Sequence, residues 1–152
     1  MVRTATFHDI SAIKELYREQ FREMQNLIPD FIKEGDQDTE FIENTIKNQN
    51  SDILVYENNG EVVGFILLQA KQRPDFSFMI QNKFCYIMDI IVTKNYRGNG
   101  YGTSLMNSAK IWAKEHECAY INLDVLYNNS SAIKLYKNLG FAPKALEMYC
   151  KI

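Results

Sequence analysis

With 152 residues, 46% hydrophobic and 24% charged, the chain has the size and make-up of one globular domain with a substantial core. A formal net charge of −2 provides no overall basic field, so nucleic acid is not the expected partner. No apolar run approaches bilayer length, and the opening MVRTATFHDI lacks the basic-then-apolar pattern of a secretory leader, so a cytoplasmic protein with no membrane partner is expected.

Val2 to Phe7 alternates loosely and predicts a first strand. Asp9 can cap a helix whose apolar residues Ile10, Ile13, Tyr17, Phe21 and Met24 recur at helical spacing, and Pro29 argues against its running past Ile28. Phe41, Ile42, Thr45 and Ile46 predict a shorter helix between Asp38 and Asn48. Ile53–Glu57 and Glu61–Ala70 are β-branched and apolar around Asn58-Asn59-Gly60, which reads as a hairpin because Asn-Gly supplies the positive φ angles of a tight turn. Lys71 to Asn82 contains Pro74 and reads as a loop or a frayed strand end.

Phe84 to Thr93 is the strongest strand, its nearly unbroken apolar run fitting a position covered on both sheet faces. A glycine-rich turn leads from it to an amphipathic helix carrying Leu105, Met106, Ala109 and Trp112. A strand over Ala119–Leu126, a helix over Ser130–Leu139 closed by Gly140, and a last strand over Ala145–Lys151 complete the reading. The order β-α-α-β-β-β-α-β-α-β describes one mixed α/β domain over residues 1–152, its sheet antiparallel in the hairpin and parallel across the helix after Thr93. Cys85, Cys118 and Cys150 are odd in number and widely spaced, and the chain has only two histidines, so free thiols and no metal site are expected.

The turn reads Arg97-Gly98-Asn99-Gly100-Tyr101-Gly102. A strand-to-helix turn of this kind presents unpaired N–H groups and the positive end of the helix dipole, and glycine lets an anion approach the backbone, so it suits a pyrophosphate. Arg97 can add a forked donor and Lys94 a point charge. The spacing is neither Gly-x-Gly-x-x-Gly nor a Walker loop, and a ligand-free tight turn is an equal alternative on the glycines alone.

Arg97, Gly100 and Gly102 resemble the Arg/Gln-x-x-Gly-x-Gly/Ala signature of the GCN5-related N-acetyltransferase (GNAT) family. Downstream, Asn129-Ser130-Ser131-Ala132-Ile133-Lys134-Leu135-Tyr136, then Leu139-Gly140-Phe141, is similar to that family's Asn-x-x-Ala-x-x-x-Tyr…Gly-Phe motif. The resemblance implies a GNAT-like central sheet with helices on both faces and an enzyme that moves the acetyl group of acetyl-CoA directly to a primary amine, expected to belong to a small molecule. A coenzyme A-binding sensor with little catalysis, or an acetyltransferase for protein N-termini or lysines, are the alternatives. Family members are often dimers, so a homodimer is a further expectation with no interface assigned.

Carried onto this chain, the resemblance has Ile90, Ile91 and Val92 offer main-chain groups to the pantetheine arm by strand addition, alongside ordinary core packing of their side chains. Arg97, Gly98, Asn99, Gly100, Tyr101, Gly102 and Thr103 would cradle the pyrophosphate. Asn129 would touch the pantetheine or thioester region, or serve as an N-cap. Tyr136 would be the catalytic acid toward the leaving thiolate; without the motif it would read as a buried aromatic beside Leu135 and Leu139.

No base is assigned. Met88 stands where some relatives carry glutamate, and alternation aims Asp89 at the opposite face unless a bulge intervenes; Tyr86, Glu23 and Asp30 are weaker choices. Leu27 to Gly35 is expected in the acceptor wall. Phe31, Phe76, Phe78 and Tyr86 could line it, and Glu23, Asp30, Glu34 and Asp36 could steer a cation.

Overall fold

A computed structural model describes residues 1–152. Asn59 and Gly60 both take left-handed φ angles, 50° and 83°, and close the expected two-residue hairpin between β2 (Ser51–Asn58) and β3 (Glu61–Gln72). β1 (Val2–Thr4) pairs antiparallel with β2, and β4 (Lys83–Val92) pairs antiparallel with β3. The chain then crosses through a helix and returns as β5 (Ile121–Leu123), parallel to β4, giving the sheet order β1-β2-β3-β4-β5.

Alternation along the strands gives the sheet two apolar faces. Ile53, Val55, Phe65 and Leu67 pack beneath α1 (Ile10–Leu27) and α2 (Thr39–Lys47) with Ile13, Leu16, Tyr17 and Ile42. Leu54, Ile66 and Leu68 face α3 (Tyr101–Glu115) and α4 (Ser130–Asn138), meeting Leu105, Met106, Ala109, Trp112 and Tyr136. Helices therefore cover both faces, as the fold class requires. Helix α1 stops at Leu27, two residues before Pro29, and Asp38 caps α2 by accepting from the Glu40 N–H.

The expected strand over Ala145–Lys151 does not form: after α4 the chain carries no further helix or strand. A strand needs a hydrogen-bonded neighbour, and no residue after Phe141 makes a backbone–backbone hydrogen bond. The strand expected over Ala119–Leu126 contracts to Ile121–Leu123, because β5 keeps company with β4 only opposite Cys85–Ile87. No helix is long and apolar enough to cross a membrane.

Candidate functional site

The strands β4 and β5 part at a defined point. Leu67 pairs with Asp89 and Leu68 with Ile87, so Met88 is an extra residue bulged out of the β3–β4 ladder. The side chains record the slip: Cys85 and Ile87 belong to the α3 face, whereas Ile91, although also odd-numbered, belongs to the α1 face. Met88 itself is 40% exposed.

The bulge also turns the backbone. Before it, the Cys85 N–H donates to the Tyr120 carbonyl across to β5. Beyond it, the Thr93 N–H donates to the Val63 carbonyl on β3, so by alternation Ile91 spends its main-chain groups on β3, opposite Phe65. Ile90 directs its main-chain groups, and Val92 its N–H, into the gap that β5 has left, while the Val92 carbonyl is taken by Arg97 Nε. Of the three residues expected to offer backbone, Ile90 and Val92 face the gap and Ile91 is paired with β3.

Asp89 is turned toward α1. It accepts from the Tyr17 hydroxyl at 2.8 Å and from the Gln20 side-chain amide at 2.9 Å. Burial raises its pKa above the usual carboxylate range, against the two hydrogen bonds that lower it. A carboxylate so engaged holds the bulge in place.

The turn after β4 is built for close approach. Gly98 and Gly100 have φ of 82° and 80°, and Gly100 is the N-cap of α3 with no side chain to cap it. Ser104 N–H donates to the Gly100 carbonyl, so the N–H groups of Tyr101, Gly102 and Thr103 stand unbonded at the positive end of the helix dipole. Asn99 braces the turn by donating to the Tyr96 carbonyl at 3.0 Å. α4 packs beside Gly102, where a Cβ would make ordinary van der Waals contact with Leu135 Cδ2 at 3.5 Å.

Arg97 is held differently from its expected role as a free forked donor. Its Nε donates to the Val92 carbonyl at 2.7 Å, and its Nη2 lies 2.7 Å from Glu23 and 3.4 Å from Glu19. Glu19 also accepts from the Lys94 N–H and the Thr93 hydroxyl, both at 2.7 Å. The sequence reading missed Glu19, whose only signal is its place one helical turn before Glu23.

Tyr136 lies on the buried side of α4, 9% exposed. Its hydroxyl makes no hydrogen bond to the protein, and burial alone pushes its pKa up to about 12, so the phenol stays neutral across the physiological range. Asn129 caps α4 by accepting from the Ala132 N–H at 3.3 Å, leaving its amide N–H groups free. Its neighbour Asn128 donates to the Leu27 carbonyl at 2.9 Å and keeps a buried Oδ1 with no partner.

At the fork itself the Tyr86 hydroxyl donates to Asp124 at 2.9 Å, joining β4 to the residue that follows β5. Burial, then this carboxylate, pushes the Tyr86 pKa up to about 12. The acidic residues expected to steer a cation are each paired: Glu23 with Arg97, Asp30 with Lys151, Glu34 with Arg22 and Asp36 with Arg18. Phe76 and Phe78 stack on each other in the loop after β3, 52% and 80% exposed. No cluster of three or more His, Cys, Asp or Glu side chains is placed to hold a metal.

Residues 10–141 match the model of the acetyltransferase (GNAT) family. The chain is 30% identical over 141 residues to the uncharacterized N-acetyltransferase YhfO of Bacillus subtilis, covering 92% of this chain and 88% of that protein. It is 34% identical over 109 residues to an N-alpha-acetyltransferase of Sulfurisphaera tokodaii, covering 66% of this chain and 62% of that one. The fold superimposes on a crystal structure of a mutant BH1408 protein from Bacillus halodurans with a TM-score of 0.96 at 22% identity, covering 100% of this chain and 99% of the other.

Proposed function

Because the chain belongs to the GNAT acetyltransferase family, we propose that it moves the acetyl group of acetyl-CoA directly to a primary amine of a small molecule. One observation carries the reading: the open backbone edge at Ile90 and the Val92 N–H is followed, after the turn, by the unbonded N–H groups that begin α3. An edge that can pair with amides, followed by an anion site, fits an extended cofactor bearing amides and a diphosphate.

In this reading Gly98, Asn99, Gly100, Tyr101, Gly102 and Thr103 hold the diphosphate, and Arg97 stiffens the turn from behind. Ile90 and the Val92 N–H hold the pantetheine arm, and an N–H at this edge meets the thioester oxygen as negative charge grows on it. Asn129 keeps its free amide N–H groups for the same arm. Bound acetyl-CoA supplies an activated acetyl group.

Tyr136 stands over the departing sulfur. A thiol titrates near 8.5, whereas Tyr136 is pushed up to about 12. Complete proton transfer to a free thiolate is therefore uphill, and the phenol acts first by hydrogen bonding to the developing negative charge. The acceptor must lose its ammonium proton before attack. Asp89 is committed to Tyr17 and Gln20, so the Asp124 carboxylate beside Tyr86 is the group we assign to receive that proton, directly or through water.

A second reading has a protein α-amine as acceptor, favoured by the relative named N-alpha-acetyltransferase. The test is thiol release from acetyl-CoA with a panel of small amines and of short peptides with free N-termini. Small-amine turnover that falls about a hundredfold or more in Tyr136→Phe supports the first reading. Turnover with peptides alone favours the second. Saturable coenzyme A binding with no acceptor in either panel would point to a sensor, and no binding heat at all would sink both acetyltransferase readings.

A further inference from the structure

The side of the sheet beneath α1 and α2 is covered only in part. Leu67 lies in the core there, and Gln69 and Lys71 follow it on the same face of β3. On β4, Cys85 and Ile87 point to the α3 side, so Phe84 and Tyr86 share the face of Gln69 and Lys71. The register sets Gln69 opposite Tyr86 and Lys71 opposite Phe84. None of these four side chains belongs to either apolar core. They make an open floor that begins at the fork, where the Tyr86 hydroxyl meets Asp124.

Two unlike charges meet the Tyr86 side chain on this floor. The hydroxyl donates to Asp124 Oδ2 at 2.9 Å, and Lys71 Nζ lies 4.3 Å from the ring centre. The negative face of the ring attracts the cation. It supplies no lone pair, so the ammonium keeps its three N–H groups for an oxygen acceptor. None of the chain's ion pairs includes Lys71 or Asp124. Around the rest of the acceptor wall, Glu23, Asp30, Glu34 and Asp36 are each neutralised by an arginine or lysine. Met88, exposed at the bulge, adds no charge.

Building on the acetyltransferase proposed above, we infer that the acceptor is an amine with an anionic far end. Its amino group sits at Asp124, its carboxylate on Lys71, and the Tyr86 ring is the platform between them. Lys71 is then a specificity-determining residue: it touches the tail of the acceptor and takes no part in the transfer.

The same pair of charges selects against other amines. A diamine brings a second ammonium against Lys71, and like charges in contact weaken binding. A plain alkylamine leaves the Lys71 ammonium in water and gains nothing from it. Lys71 is exposed, so its ion pair with a carboxylate is modest and the preference is graded.

The test is calorimetric binding of δ-aminovalerate, pentylamine and cadaverine to the full chain, with and without coenzyme A, a readout that needs no turnover. The three amines have equal carbon counts and differ at the far end. The wild type should bind δ-aminovalerate most tightly and cadaverine most weakly, with steps of about threefold to fivefold. Lys71→Gln should bring the three affinities within about twofold of one another, and Lys71→Glu should invert the order. Lys114→Glu makes the same change of net charge at an exposed site on α3 and should keep the wild-type order. Thiol release from acetyl-CoA with pentylamine, followed alongside, bears on acetyl transfer alone. Cadaverine binding as tightly as δ-aminovalerate, an order that survives Lys71→Glu, or no saturation with δ-aminovalerate in either state would overturn the inference.

Discussion

Asp89 can be separated into its charge and its hydrogen bonds by two substitutions. Asp89→Ala leaves the Tyr17 hydroxyl, on a fully buried residue, and the Gln20 amide without their acceptor. A stranded buried donor costs about 1–3 kcal/mol, so loss of both predicts about 2–6 kcal/mol. Asp89→Asn should behave otherwise. Its oxygen still accepts from Tyr17, and its new N–H groups meet Gln20, whose buried Oε1 has no partner at present. A half-turn of the Gln20 amide then satisfies both side chains. Burial raises the Asp89 pKa, so the ionised form is disfavoured in the folded state and its contribution to stability falls as pH rises above the unfolded carboxylate range. Asp89→Asn removes that penalty and should lie within about 1 kcal/mol of wild type at neutral pH. Urea unfolding followed by tryptophan fluorescence checks both, as shifts of midpoint at constant slope. Equal destabilisation by the two variants would refute the hydrogen-bond account.

Gly64 is the close-approach position opposite Val92, where a Cβ would come within 2.7 Å of the Ile91 carbonyl oxygen. Gly64→Ala should cost about 1–3 kcal/mol, lowering Tm by about 2–10 °C, and should weaken coenzyme A binding in calorimetry by pushing the edge outward; an unchanged Tm would count against this. Asp9, 6% exposed, is held by the Arg3 guanidinium at about pH 2, below its usual 3.8. A depressed carboxylate pKa stabilises the fold above the unfolded value and ceases to do so as pH falls through the folded one. Stability should therefore drop by about 2 kcal/mol between pH 4 and pH 2, and Asp9→Asn should flatten that part of the urea-midpoint profile.

The parts legible in the sequence were those with local physical causes. Asn59-Gly60 announced its hairpin, Pro29 its helix end, and the glycines around Asn99 their turn, because each constraint acts within a few residues. The bulge at Met88 was hidden for the opposite reason. It sits in a strand apolar on both faces, so the switch in phase between Ile87 and Asp89 leaves no break in the hydropathy pattern. Tyr86–Asp124 and Asn128–Leu27 join residues 38 and 101 positions apart and exist only once β5 has been placed. Ala145–Lys151 misled because its alternation is genuine strand patterning, whereas a strand also requires a neighbour.

Helix α1 ties these distant pieces together through its own periodicity. Tyr17 and Gln20 reach the bulge at Asp89, Glu19 and Glu23 hold the turn at Thr93, Lys94 and Arg97, and the Leu27 carbonyl receives Asn128 from the far side of the fork. Spacings of three and four residues keep these groups along one side of the helix. α1 also carries Ile13, Leu16 and Tyr17 into the core beneath Phe65 and Leu67, so it cannot shift without disturbing close-packed side chains. The anion turn, the open β4 edge and the start of the Leu27–Gly35 wall consequently share one rigid support. A change that tilts α1 must alter all three at once, even where no altered residue touches a ligand.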